Sequence, residues 1–169
     1  LNKLVSKNYT SVDGLALNYK VYENAEINLL GTADGSIRVY SGMMDALNDD
    51  ELLAVIAIQI GHIANKDTRD ALMKVADGDN ASKASTAQLE KLLSMSGDKL
   101  GTVVNELLQV PYTEDQSKTA DTYAYDLLKK NGSKVAGLAS ALNKFAEMEA
   151  VDADSEETGE YSGASKYNT

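Results

Sequence analysis

The stretch "LLAVIAIQIGHI", Leu52 to Ile63, constrains the fold of this chain more than any other. Apart from Gln59, Gly61 and His62 it is made of apolar side chains. A helix that is apolar on every face has no side to give to solvent, so it must pass through the middle of a core. Just upstream, Asn48 or Asp49 can cap such a helix, and Asp50 and Glu51 complement the positive end of its dipole. The periodicity predicts one central helix, Asp50–Met73, with everything else arranged around it. Its longest uninterrupted apolar run, Leu52 to Ile58, falls far short of the roughly 20 residues that span a bilayer.

What precedes the helix reads differently. "GLALNYKVYEN", from Gly14, sets Leu15, Leu17, Tyr19 and Val21 on one face with period two, the pattern of a half-buried strand. "EINLLGTADGSIRVYSG" has two short apolar runs on either side of Asp34-Gly35, a hairpin signal. Residues 1–14 are polar and suit a short helix or arm, so the first 42 residues are expected to form a small sheet. After the central helix, "ADGDNASKAST" reads as a loop, and two amphipathic helices fit Thr86–Met95 and Lys99–Gln109 before the only proline, Pro111, breaks the pattern. "EDQSKTADTYAYDLLKKNG" is helical, with Ala120, Ala124 and Leu127 on one face and a stop at Asn131-Gly132. Ser133 is the expected cap of a last helix with the stripe Val135, Leu138, Leu142 and Phe145. The chain thus divides into one domain, 1–149, and a flexible acidic and polar segment, 150–169. A small sheet followed by helices is an α+β domain.

Composition narrows the function classes. A chain of 169 residues with 43% hydrophobic content suits one domain with one core. The net charge of −10 removes the electrostatic attraction that nucleic-acid binding needs, and it disfavours an anionic membrane surface. Without cysteine there is no disulfide, no thiolate chemistry and no Cys-type zinc site. A start at Leu1 rather than Met fits a processed chain whose signal peptide or lipid anchor has been removed.

The chemistry-bearing question sits inside the apolar helix. A zinc peptidase helix carries His-Glu-x-x-His, because residues i and i+4 share one face and can hold one metal between them. The glutamate acts as general base on the metal-bound water, and a third ligand comes from elsewhere. Here the five positions are Ile58, Gln59, Ile60, Gly61 and His62. Isoleucine has no lone pair to donate, and a glutamine side chain cannot accept a proton at neutral pH. His62 therefore reads first as a core histidine bonded to a neighbour such as Asp121, and second as a residual metal ligand.

Three blocks in order carry a resemblance that covers about Asn18 to Met148. They are "INLLGTADGSIRVYSGMMDALNDDELLAVIA", "AIQIGHIANKD" and "YTEDQSKTADTYAYDLLKKNG". Together they resemble the HtpX- and CAAX-protease-type zinc metallopeptidases, peptidase family M48, and most closely the small periplasmic lipoprotein members. The resemblance implies a zincin-like domain in which a small N-terminal sheet packs on a helical bundle around the buried central helix. It assigns the metal-ligand positions to Ile58, His62 and Ser117, the general-base position to Gln59, and a supporting role beside the metal to Asp121. It also sets Glu114 at a family arginine and Asp67 at a family histidine, and expects a His-Pro element C-terminal of Tyr167. Active relatives use zinc; with two of three ligands and the base replaced, no cofactor is expected here.

These readings imply a catalytically inactive homologue, a pseudopeptidase, with no intact catalytic or metal residue. Its partner would be an extended peptide or an envelope protein, bound along Gly31, Thr32, Ala33, Asp34, Gly35, Ser36 and Ile37 by strand addition. The resemblance places it in the bacterial periplasm or cell envelope. The alternatives are a divergent but active metal-dependent endopeptidase, holding metal through His62 and Asp121, and a purely structural domain.

Overall fold

The computed structural model describes residues 1–5, 8–77 and 111–157. The expected helices Thr86–Met95 and Lys99–Gln109, the loop before them, and residues 158–169 lie outside the described residues. In chain order the elements are α1 (Asn2–Val5), β1 (Ser11–Val12), β2 (Leu15–Ala16), β3 (Asn18–Tyr22), β4 (Leu29–Gly31) and β5 (Ser36–Tyr40). Then come α2 (Ser41–Ala46), α3 (Asp49–Ala64), α4 (Asp67–Asp77), α5 (Glu114–Lys130) and α6 (Ala136–Glu157). A sheet followed by helices is the α+β order the sequence implies.

The helix α3 is the axis. Asn48 Oδ1 accepts from the backbone N–H groups of Asp50 and Glu51, at 3.0 and 3.1 Å, and Glu51 Oε2 accepts from Asn48 N–H at 2.9 Å. This reciprocal box satisfies donors that the first helical turn leaves open. Every residue from Glu51 to Ile63 is buried, as an all-round apolar helix requires. The helices α5 and α6 pack along it, and β4 lies beside it. Gly61 sets how closely α5 approaches, since a Cβ there would lie 2.7 Å from the Ala120 carbonyl oxygen. The carboxylate of Glu51 ties down α6, accepting from Lys144 Nζ at 2.6 Å and from Ser140 Oγ at 2.5 Å.

The three-stranded sheet has the order β3-β5-β4, with β3 parallel and β4 antiparallel to the central β5. The expected hairpin is present as β4–β5. Asp34 shapes its turn: Oδ1 accepts from Ser36 N–H at 3.0 Å, and Gly35 supplies a φ of +81°.

Several expectations are corrected. The strand expected through Leu15–Val21 is two strands, because the chain changes partner between Leu17, whose N–H donates to Thr10 O beside β1, and Asn18, whose N–H donates to Gly35 O beside β5; Val21 is exposed. The single helix Asp50–Met73 is two, α3 and α4, because Lys66 adopts a left-handed φ of +68° that no regular helix accommodates. Ser133 does not cap the last helix; its hydroxyl is 2.7 Å from the Tyr9 hydroxyl, and the helix begins at Ala136. Leu142 is exposed while Ala141 is buried, and on α5 Leu128 rather than Leu127 is fully buried. The last helix does not end at residue 150, since α6 runs from Ala136 to Glu157.

Candidate functional site around His62

His62 lies near the C-terminal end of α3 and is completely buried. The break at Lys66 turns the chain so that Asp67, at the head of α4, faces back toward it. Nδ1 of His62 lies 2.9 Å from Asp67 Oδ2, while Asp67 Oδ1 accepts from Gln116 Nε2 at 3.0 Å. Gln116 is itself held, since its Oε1 accepts from Thr113 N–H at 2.9 Å in the capping box of α5. One carboxylate therefore joins three helices. The Tyr112 ring stacks on the imidazole with centroids 3.8 Å apart and planes 13° from parallel. Burial, followed by the nearby Asp67 carboxylate, pushes the Tyr112 phenol well above its ordinary pKa.

The hydrogen-bond partner of His62 is thus Asp67 rather than Asp121. Asp121 lies close enough for the two to feel each other's charge: burial raises its carboxyl and His62 partly offsets that. For His62, burial lowers the pKa, and the carboxylates of Asp67 and Asp121 only partly oppose this. The ring is neutral at pH 7. With Nδ1 set against a carboxylate, the proton resides on Nδ1 and Nε2 keeps a lone pair. Nε2 is buried and has no partner among the described residues. A buried nitrogen without a partner is uncommon and asks for an explanation.

An imidazole held by a carboxylate at one nitrogen, with the other bare, is how a metal-ligating histidine is commonly supported. The rest of the assigned ligand set does not match. Ile58, one turn earlier on the same face, is 1% exposed and offers no donor atom. Ser117, one turn before Asp121 on α5, offers a neutral hydroxyl where zinc sites use imidazole, thiolate or carboxylate. Among the described residues no group of three or more His, Cys, Asp or Glu side chains is arranged to hold a metal. The residues present therefore fit one zinc ligand, not three.

Gln59 is 3% exposed and packs beneath the edge strand: its Oε1 lies 2.9 Å from where a Cβ on Gly31 would be. Thr32 N–H donates to Ser36 O and Tyr40 N–H to Asn28 O, so positions 28, 30 and 32 face β5. The amide groups of Leu29 and Gly31 then point to the open side of β4. Leu29 N–H is covered by Asn28 Oδ1 at 2.7 Å, and Gly31 is buried against Gln59 and Ile63. Most of the segment 31–37, expected to offer an edge for strand addition, does not lie on a sheet edge. Ser36 and Ile37 belong to β5, which is paired on both sides, and Thr32 to Gly35 form the turn.

Residues 19–161 match the sequence profile of Peptidase family M48. The chain belongs to that family. Two Escherichia coli (strain K12) proteins are similar to this M48 chain. The metalloprotease LoiP is 38% identical over 140 residues, which cover 82% of this chain and 55% of LoiP. The metalloprotease YcaL is 29% identical over 155 residues, covering 88% of this chain and 59% of YcaL. The chain spans little more than half the length of either relative. Among the described residues no helix is long and apolar enough to cross a membrane.

The sequence does not announce that Asp67 and Gln116 join His62. Asp67 is in plain view, five residues after His62, but only the break at Lys66 makes them neighbours. Gln116 carried a signal in the spacing Thr113-x-x-Gln116, the pattern of a capping box.

Proposed function

We propose that this chain is a catalytically inactive homologue of the M48 metalloendopeptidases that holds extended polypeptide at the bacterial cell envelope without cutting it. The observation that carries the reading is the state of the first assigned ligand position. Ile58 is packed into the core one helical turn from His62, so the ring that would share a metal faces a side chain with no lone pair. Gln59, at the assigned general-base position, has no basic atom with which to activate water. Binding without cleavage is supported by the outer side of β4, an edge strand that pairs with β5 alone among the described strands. The envelope location rests on the resemblance to the lipoprotein branch of the family.

One observation favours a second reading, a divergent metal-dependent endopeptidase. The unpartnered Nε2 of His62 retains the lone pair a metal would take, with Asp121 nearby.

Zinc stoichiometry decides between them. The purified protein is equilibrated with zinc, desalted and analysed for bound metal, beside the triple variant Ile58→His, Gln59→Glu, Ser117→Glu. The inactive reading expects negligible zinc in the parent and one equivalent in the variant. One equivalent in the parent, lost on His62→Ala and accompanied by cleavage of casein, would overturn it.

A further inference from the structure

A second concavity lies outside the His62 network, where the β1–β2 ribbon, the β4–β5 turn and the start of α4 meet. It is a cavity of about 250 Å³. Val12, Leu15, Ala33 and Ile63 give it an apolar wall. Lys66, Thr68 and Arg69 give it a cationic and hydrogen-bonding one, with Asp13 as the one carboxylate among its described lining residues.

Three observations about that second wall coincide. Lys66 and Arg69 form no ion pair among the described residues, in a chain whose net charge is −10. Lys66 and Arg69 thus bring two cations to the cavity lining against the Asp13 carboxylate, while Asp67 and Asp70 also stand in the first turn of α4 outside that lining. Thr68 is 2% exposed, yet its Oγ1 has no hydrogen-bond partner. These three residues also surround the N-terminus of α4, an eleven-residue helix whose first amides carry the positive end of its dipole.

The geometry points to this cavity as a receptor for the free C-terminus of a polypeptide that ends in an apolar residue. The volume suits about one side chain, and the two walls ask for an apolar group and an anion on one small unit. An internal aspartate or glutamate brings the carboxylate without the apolar group, and an inorganic anion lacks it as well. Only a C-terminal residue carries both on a single Cα. This deepens the peptide-holding reading and rests on it. Ile63 links the two places: it lines the cavity, and its Cδ1 lies 3.3 Å from where a Cβ on Gly31 would be. A chain seated by its C-terminus and continuing along the open edge would run parallel to β4, because Ala33 follows the end of that strand.

The test is an amide-resolved NMR titration of the whole chain with N-acetyl-leucyl-leucine, its C-terminal amide, and an N-acetyl-glutamyl dipeptide amide. The acid should shift the amide signals of Ala33, Ala64, Thr68 and Arg69, with affinity falling as salt rises. The dipeptide amide should bind about tenfold more weakly or worse, the scale of one charge-assisted hydrogen bond. In the double variant Lys66→Ala, Arg69→Ala the acid should lose that advantage while signals elsewhere stay in place. Equal binding of acid and amide, equal binding of the glutamyl ligand, or an unchanged double variant would overturn the cavity assignment. If only the cavity assignment fails, an extended peptide amide still shifts Leu29 to Gly31, and polypeptide binding stands. If that peptide shifts nothing either, both readings fall together.

Discussion

His62 gives its Nδ1 to the Asp67 carboxylate at 2.9 Å and keeps a buried, unpartnered Nε2. That asymmetry fixes a tautomer. Long-range nitrogen–proton NMR at pH 7 should find the proton on Nδ1 and a bare Nε2. Asp67→Asn should loosen this preference, because an amide can also present its NH₂ to the ring. A ring protonated on Nε2 in the parent would contradict the assignment.

The same histidine sets a pH dependence. Its folded pKa lies below the ordinary 6.5, because burial penalises the imidazolium. The folded state therefore binds fewer protons than the unfolded state once the pH drops below about 6.5. The contribution is fully present above that value and lost progressively as pH falls from there toward the depressed folded value. Urea unfolding from pH 7.5 to 5.0 should show this decline in the parent. It should be much reduced in His62→Gln, which has no imidazole to protonate.

Much of this architecture is legible in the sequence, for a physical reason: α3 needs no partner to declare itself. An all-round apolar run with Asn48 and acidic residues ahead of it can only be a capped, buried helix. The β4–β5 hairpin is equally local, since Asp34 and Gly35 write their turn within four residues. The break at Lys66 is not legible, because a lysine in left-handed conformation leaves no compositional mark. With that break hidden, the partner of His62 and the cavity beside Lys66, Thr68 and Arg69 were hidden too. The extent of the open edge failed for a similar reason, since a strand does not reveal whether one or both of its sides are paired.

Glu51 predicts a second, more acidic window. Its hydrogen bonds with Lys144, with Ser140 and with Asn48 N–H lower its pKa from 4.5 to about 2. A depressed carboxylate contributes stability that is complete above the unfolded value of 4.5 and is lost as pH falls toward 2. Lys144→Met removes the largest of those causes. The variant should be less stable than the parent at pH 7, and the gap between them should narrow between pH 4.5 and pH 2 in chemical denaturation. A gap independent of pH would mean that Lys144 acts through packing alone.

The close approach of α3 to α5 gives a steric prediction. A Cβ added at Gly61 would lie 2.7 Å from the Ala120 carbonyl oxygen and 3.0 Å from its Cα, so backbone rather than a flexible side chain must move. Gly61→Ala should destabilise the fold by about 1–3 kcal/mol, as overpacking does, despite alanine's better helix propensity. Gly132→Ala makes a useful control, since nothing lies within 4 Å of its Cβ position and only its φ of +69° opposes the change. A Gly61→Ala protein as stable as the parent would show that the two helices can separate at this contact.

Ile58 separates a filled core from a vacated metal site. It is 1% exposed and belongs to the main hydrophobic cluster, so Ile58→Ala should cost about 2–5 kcal/mol through lost burial and a residual cavity. Ile58→Val should cost only about 0.5–1.5 kcal/mol. Ile58→His alone should also destabilise the metal-free protein, because it buries a polar ring among apolar neighbours. Adding zinc should restore little of that loss while Ser117 supplies no carboxylate, and much more once Ser117→Glu is combined with it, since a metal that binds only the folded state stabilises it by mass action. Zinc-dependent melting temperatures for the single and double variants measure this directly. Recovery by the single variant alone would mean that Asp121 or another group already completes a ligand set, and it would shift the balance toward the divergent endopeptidase.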